Sequence, residues 1–297
     1  MGRRGSCARG DDNRNTELPF GWSGQNFDLR LAKFFDVEQD ELKTVTYRVA
    51  DGVAELCLNR PNIKNAANSV MWAEISSCLD HFADSTEQRV LVITGAGGAF
   101  CSGADLSDLN RQSDTPLDRV RKIGEIALKL HRLPKPTIAK VGGIAAGAGC
   151  NLALGCDLIY AGTSARFSEI FVRRGLSLDF GGAWLLPRLV GIHKAKQLAL
   201  LGDVISASEA ERIGIVNEVV PDQELDARVK AVADQLVEGP PIAISLIKAM
   251  LNSSFSLTME ETVEREAQAQ AINLTAEDSK EALRAFLEKR PPKFLGR

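Results

Sequence analysis

A chain of 297 residues with 44% hydrophobic and 25% charged side chains carries apolar material for one sizeable core and is short for two. Its formal net charge of −3 gives no global field for nucleic acid or an anionic membrane surface, so neither is an expected partner. No uninterrupted apolar run reaches the roughly 18–20 residues that a membrane-spanning helix needs.

Residues 1–40 read as a flexible extension. Gly, Asp, Asn and Arg dominate to Asn15, and Asp11, Asp12 and Glu17 interrupt the arginines that a transit peptide would carry. The folded body starts near Leu42. Thr44 to Ala50 and Val53 to Asn59 alternate apolar and polar residues around Asp51-Gly52, a tight-hairpin pair. Ser69 to Phe82 has helical spacing, and Val90 to Thr94 is a buried-strand run. Leu117 to Leu133 is helical and Thr137 to Val141 a strand. Cys150 to Leu154 reads as a short buried helix, and Asp157 to Ala161 and Ala165 to Ser168 as further strands. From Gly181 onward only helices are expected, beginning near Ala183, His193, Ser208, Glu224, Pro240, Thr258 and Ser279. Strand and helix alternating before a helical tail imply an α/β fold with a largely parallel sheet. The expected organisation is an extension (1–40), a core (41–223) and a C-terminal helical region (224–297).

The six cysteines (Cys7, Cys57, Cys78, Cys101, Cys150, Cys156) include no CxxC pair and mostly sit in apolar runs. They predict small buried thiols, no metal site and a reducing cytoplasmic setting. His81, His131 and His193 lie among charged residues and read as solvated.

Two loops of small residues follow apolar strands: Gly95 to Leu106, and Gly142 to Gly149. Neither fits a phosphate motif. Phe100 and Leu152 stand where a dinucleotide fingerprint needs glycine, and no GxxxxGK[ST] occurs. Phe100 also breaks a nucleophile elbow around Ser102. Each loop alone fits either close packing or backbone amides bared for an oxygen that becomes anionic. Two such loops at different strand ends favour the second reading, with donors converging on a developing enolate.

Leu58-Asn-Arg-Pro61 with Asn65-Ala66, Gly98 to Leu106, Lys135-Pro136, Gly147 to Asp157 and Gly175 to Arg188 together resemble the crotonase, or enoyl-CoA hydratase/isomerase, superfamily. The likeness runs from about Leu42 to Arg297. It implies a spiral of ββα units with a C-terminal helical region that oligomerises as a homotrimer or homohexamer, and an acyl-CoA thioester substrate with no other cofactor. By position, the amides of Ala104 and Ala148 would form the oxyanion hole. Ala66, Asp105, Leu106 and Ser107 would line the CoA and acyl path. Lys64 is a candidate CoA phosphate contact, or else a solvated loop lysine.

The departures from the family pattern carry more information. The two hydratase glutamate positions hold Asn151 and Phe171, which are also counted with the substrate-binding set. An amide and a phenyl ring supply neither proton transfer that hydration needs. Asp179 aligns with the aspartate used by several family isomerases; its alternative role is an N-cap for the helix near Gly181. The run from Gly175 to Gly191 and the ending from Ala285 to Phe294 look most like bacterial isomerases of the ring-epoxide phenylacetyl-CoA type. The resemblance implies an isomerase that shifts a double bond or ring-epoxide bond through an enolate, with Asp179 as proton shuttle. Two alternatives are a hydratase with an atypical acid such as Glu169 and a non-catalytic acyl-CoA-binding protein. Phe171, Phe180 and Trp184 are candidate pocket aromatics.

Overall fold

The structure is a computed structural model that describes residues 42–108 and 115–297; the extension over residues 1–40 and Cys7 lie outside the described residues. Strands β1 (Val45–Ala50) and β2 (Val53–Leu58) form the expected hairpin, paired from Val45 with Leu58 to Ala50 with Val53. Asp51 and Gly52 take φ of 50° and 80°, the left-handed pair that a two-residue turn between twisted strands requires. Helix α1 (Ser69–Asp84) starts where the Asn68 side chain accepts from the Met71 amide. Strand β3 (Val90–Gly95), helix α2 (Pro116–Arg132) and strand β4 (Thr137–Val141) follow. Next come β5 (Ile144–Ala146), α3 (Ala148–Leu154), β6 (Leu158–Gly162) and β7 (Arg166–Ser168). The second half holds α4 (Gly182–Val190), α5 (Ile192–Leu201), β8 (Val204–Ser206), α6 (Ala207–Arg212) and β9 (Glu218–Val220). It ends with α7 (Leu225–Glu238), α8 (Pro241–Ser253), α9 (Met259–Thr275) and α10 (Glu277–Glu288).

The main sheet runs β1-β2-β3-β4-β6-β9, antiparallel in its first pair and parallel thereafter. A second sheet, β5-β7-β8, stands beside it. The all-apolar character of β3 follows from burial on both faces. Leu91 and Ile93 join Met71, Ile75, Leu79 and Phe82 of α1 in one core. Val90 and Val92 join Leu225, Val229 and Val232 of α7 in another. Helix α7, which follows the boundary expected at 223, is thus one layer of the sheet's covering.

Three strands depart from the sequence reading. β8 and β9 interrupt what was expected to be helix alone, and β5 lies inside the glycine-alanine run read as loop. Each is three residues long, too short for a period-2 pattern to emerge. The histidines differ as well. His193 is exposed, but His81 packs edge-on against Tyr47 and His131 edge-on against Trp184, both half-buried. The described cysteines are free thiols, all buried except the half-buried Cys57. Among the described residues no helix is long and apolar enough to cross a membrane.

Candidate active site

The loop after β3 is shaped by Asn65, whose side chain is buried and whose φ is 55°. Its amide nitrogen donates to the carbonyls of Ala96 (2.9 Å) and Ala99 (2.8 Å), and its oxygen accepts from the Arg60 amide. Farther along, Ala67 N–H donates to Gly103 O at 2.8 Å and Asp105 N–H to Ala67 O at 2.9 Å. These two bonds bracket Ala104, whose own N–H donates to no group among the described residues.

The second loop is locked onto the first. Ile144 O accepts from the amides of Phe100 and Cys101, and the Ala146 amide donates to Cys101 O at 2.9 Å. A Cβ on Gly149 would lie 2.4 Å from Cys101 O, and one on Gly103 would lie 2.9 Å from Ala146 O and 3.9 Å from the Ala148 nitrogen. The small residues are therefore there for close approach of the two backbones. Gly147, at φ 54° and ψ −130°, takes a conformation essentially reserved for glycine. It turns the chain so that Ala148 opens α3 with its N–H unpaired among the described residues. Packing and bared amides, the two readings open for each loop, coexist: close approach is what leaves two donors free side by side.

Asp179 stands at the other flank of α3. Its carbonyl accepts from Asn151 Nδ2 and from the Gly182 amide, both at 2.9 Å. The chain then passes through two left-handed residues, Phe180 (φ 47°) and Gly181 (φ 77°). A non-glycine residue there is costly and needs support. Phe180 has it: the side chain is buried, its ring 5.4 Å from that of Trp72. Gly181 is the N-cap of α4 and no side chain caps that helix, so the Asp179 carboxylate is free of the capping role. Its Oδ1 is buried without a hydrogen-bond partner among the described residues, and burial pushes the acid up to about 6.

Asn151 and Phe171 differ in what they do. Asn151 is fully buried and braces the Asp179 segment. Phe171, in the 3-10 turn Ile170–Arg174, lies against Gly147: a Cβ built there would be 3.7 Å from its Cζ. Asp105 has its carboxylate engaged by Arg60 (2.9 Å) and by the amide and hydroxyl of Ser107. The Ser107 hydroxyl, with Arg60, holds that acid below its ordinary value. Ala66 is half-buried, its carbonyl accepting from Arg60 at 2.6 Å. Lys64 and Leu106 are exposed beside the first loop.

The model of the enoyl-CoA hydratase/isomerase family matches residues 48–297. The chain belongs to the enoyl-CoA hydratase/isomerase family. A probable enoyl-CoA hydratase of Rhodobacter capsulatus is 40% identical over 255 residues, 86% of this chain and 98% of that protein. A 1,2-epoxyphenylacetyl-CoA isomerase of Escherichia coli is 38% identical over 261 residues, 86% of this chain and all of that protein. The crystal structure of a putative enoyl-CoA hydratase from Streptomyces coelicolor superposes with a TM-score of 0.83 at 36% identity, covering 95% of this chain and 100% of that one. Hydratases and isomerases thus stand at nearly equal distance.

Two features of this family member escaped the sequence reading. Trp184 does not join Phe171 and Phe180. It lies under the Arg188 guanidinium, 3.8 Å from the ring centroid, and lines a separate cavity of about 510 Å³ between α4 and α8. Glu169, weighed only as a replacement acid, is 2% exposed, its carboxyl beside the Cys150 thiol and the Asn151 side chain but with no well-formed hydrogen bond among the described residues. Burial, then the charge of Asp179, pushes it up to about 7 against the influence of the Cys150 thiol and Asn151. The one sequence sign was an acid set between Phe167 and Phe171.

Proposed function

We propose that this family member is an acyl-CoA isomerase. The thioester oxygen sits between the amides of Ala104 and Ala148, which stabilise it as negative charge grows and so acidify the neighbouring C–H. Ionised Asp179 removes that proton, and the enolate delocalises along the conjugated chain or ring. The same carboxyl returns the proton at another carbon, so nothing is consumed. The observation that carries the reading is the pairing of a half-buried Asp179, whose Oδ1 has no hydrogen-bond partner among the described residues, with Asn151 and Phe171 at the hydratase glutamate positions. Raised to about 6, Asp179 is a stronger base than a free aspartate and still largely ionised at neutral pH.

Incubation of a panel of acyl-CoAs with the enzyme in heavy water tests this. An isomerase incorporates deuterium at the acyl carbons of its substrate and redistributes the double bond. Loss of crotonyl-CoA absorbance through water addition supports the hydratase alternative instead, and tight binding with no exchange supports a binding protein. We further propose a homotrimer or homohexamer, supported by apolar side chains left exposed on the last two helices, among them Leu274, Leu283, Phe286 and Leu287.

A further inference from the structure

Glycine and alanine let Ala104 come close to Ala148, but small side chains do not aim an amide. The aim of the Ala104 N–H comes from one backbone bridge, in which Ala67 and Ala104 pair in parallel outside the strands. Ala67 makes both bonds of that bridge: its N–H donates to Gly103 O at 2.8 Å and its carbonyl accepts from the Asp105 N–H at 2.9 Å. In such a ladder the residue between the two bonds points its own groups the opposite way, so the Ala104 amide faces away from Ala67. Two hydrogen bonds are a weak hold on a register, at about 1 kcal/mol net for each. The chain that leads into the bridge is itself costly, because Lys64 and Asn65 both take left-handed φ, 52° and 55°. A side-chain tie spans the same place. Arg60 Nη1 donates to the Ala66 carbonyl at 2.6 Å and lies 2.9 Å from Asp105 Oδ2. One nitrogen with two hydrogens thus holds the residue before Ala67 and the residue after Ala104. Arg60 is held at its own backbone, where its amide donates to Asn65 Oδ1 at 2.8 Å and its carbonyl accepts from the Asn65 amide at 3.0 Å. Asp105 is fixed from the other side, its Oδ1 accepting from the Ser107 hydroxyl at 2.7 Å and the Ser107 amide at 3.1 Å. The ion pair is mostly shielded, with side chains 23% and 13% exposed, so water competes with it less than with a surface pair.

We propose that Arg60 and Asp105 are positioning residues for the Ala104 amide: their ion pair, extended to the Ala66 carbonyl, fixes the register of the Ala67–Ala104 bridge and so aims the N–H at the thioester oxygen. This rests on the reading of Ala104 and Ala148 as the oxyanion donors. Asp105 acts on the substrate through the backbone, with both of its carboxylate oxygens already engaged, and not by touching CoA. The two roles differ in what they change. A contact to CoA strengthens binding of substrate and transition state alike, whereas a well-aimed donor matters most once charge has gathered on the oxygen.

The test compares wild type, Arg60→Met, Arg60→Lys, Asp105→Asn and the double variant Arg60→Met/Asp105→Asn, with near-ultraviolet dichroism as a check of folding. Two probes are used: 3-hexenoyl-CoA for kcat and KM, and hexanoyl-CoA, isotopically labelled at its thioester carbonyl, for Kd and the infrared band of the bound carbonyl. Methionine fills the space of the arginine stem without a donor, and kcat is expected to fall about 10–10²-fold with KM and Kd within about twofold. The carbonyl band of the bound thioester, lowered in wild type by the two donors, is expected to move back toward its position in free solution. Lysine also carries several hydrogens on one nitrogen and is expected to recover most of the rate and of the band shift. Asparagine, the same shape as aspartate without the charge, keeps an acceptor for Ser107 and guards against a methionine variant that fails to fold. Asp105→Asn is expected to cost less than Arg60→Met, and the double variant no more than Arg60→Met alone, because both changes break one tie. Three results overturn the inference: a band that stays at the wild-type position in folded Arg60→Met and Asp105→Asn, a Kd that rises while kcat holds, or losses that add in the double variant. A wild-type band no lower than that of free hexanoyl-CoA overturns the oxyanion reading itself, and the inference with it.

Discussion

The two flanks of α3 are opposite in what they leave unpaired. On the side of the glycine-alanine loops, two backbone donors, the amides of Ala104 and Ala148, have no acceptor among the described residues. On the side of Asp179, Asn151 and Glu169, the groups without a well-formed hydrogen bond among the described residues are all acceptors. A helix with free donors on one side and available acceptors on the other is suited to a molecule that brings an oxygen to the first and a proton to the second. An acyl thioester with an acidic C–H is such a molecule. The donor side is built from backbone, so it is rigid and does not titrate. The acceptor side is built from side chains, so its performance depends on pH.

Breaking the donor side alone is expected to have a large effect, second only to the loss of Asp179 itself. Ala148→Pro removes one N–H at the first position of α3, where a helix tolerates proline. Turnover should drop about 10²–10³-fold, the worth of one oxyanion donor, with dichroism unchanged. An unaffected rate would mean that the bared amide is only a consequence of packing.

On the acceptor side, Glu169→Gln should change stability in a pH-dependent sense. The folded-state acid lies at about 7 against an ordinary 4.5, so wild-type stability is complete below 4.5 and is lost as pH rises through 7. The variant has no such loss. Its melting temperature relative to wild type should climb between pH 5 and 8, by the equivalent of up to about 3 kcal/mol at the usual 1.4 kcal/mol per pH unit. A difference that stays constant with pH would remove Glu169 from the titrating set. Gly182→Ala forces a methyl into the Asn151 amide. It should cost about 1–3 kcal/mol in chemical denaturation, with kcat falling more than binding, because the brace on Asp179 is displaced. Loss of stability with kcat intact would separate Asn151 from the chemistry. The smallest effect is the acid limb: kcat/KM should fall about tenfold per pH unit below the Asp179 value of about 6. A limb near 4 would place Asp179 in water.

Much of this comparison was legible in the sequence, and unevenly so. The donor side was readable because glycine and alanine at Gly147, Ala148 and Gly149 announce close backbone approach by composition alone. The hairpin at Asp51-Gly52, the buried run of β3 and the long helices were readable from periodicity. The strands β5, β8 and β9 were not, because three residues joined to a distant partner leave no local pattern. The acceptor side was half visible: Asp179 stood out by position, but its freedom from a capping role depends on the left-handed turn at Phe180-Gly181. That Asn151 serves Asp179, and that Glu169 lies next to both, is a meeting of α3, the end of β7 and the segment before α4. Such a meeting is a property of tertiary packing. Trp184 shows the converse: near in sequence to Phe180, it faces a different cavity.

The central claim is that Asp179 moves the proton. Deuterium incorporation into an acyl-CoA that wild type exchanges in heavy water, measured for Asp179→Asn at pH 7, tests it most directly. The account predicts exchange reduced about 10²–10⁴-fold with substrate binding retained. Exchange at the wild-type rate would contradict it.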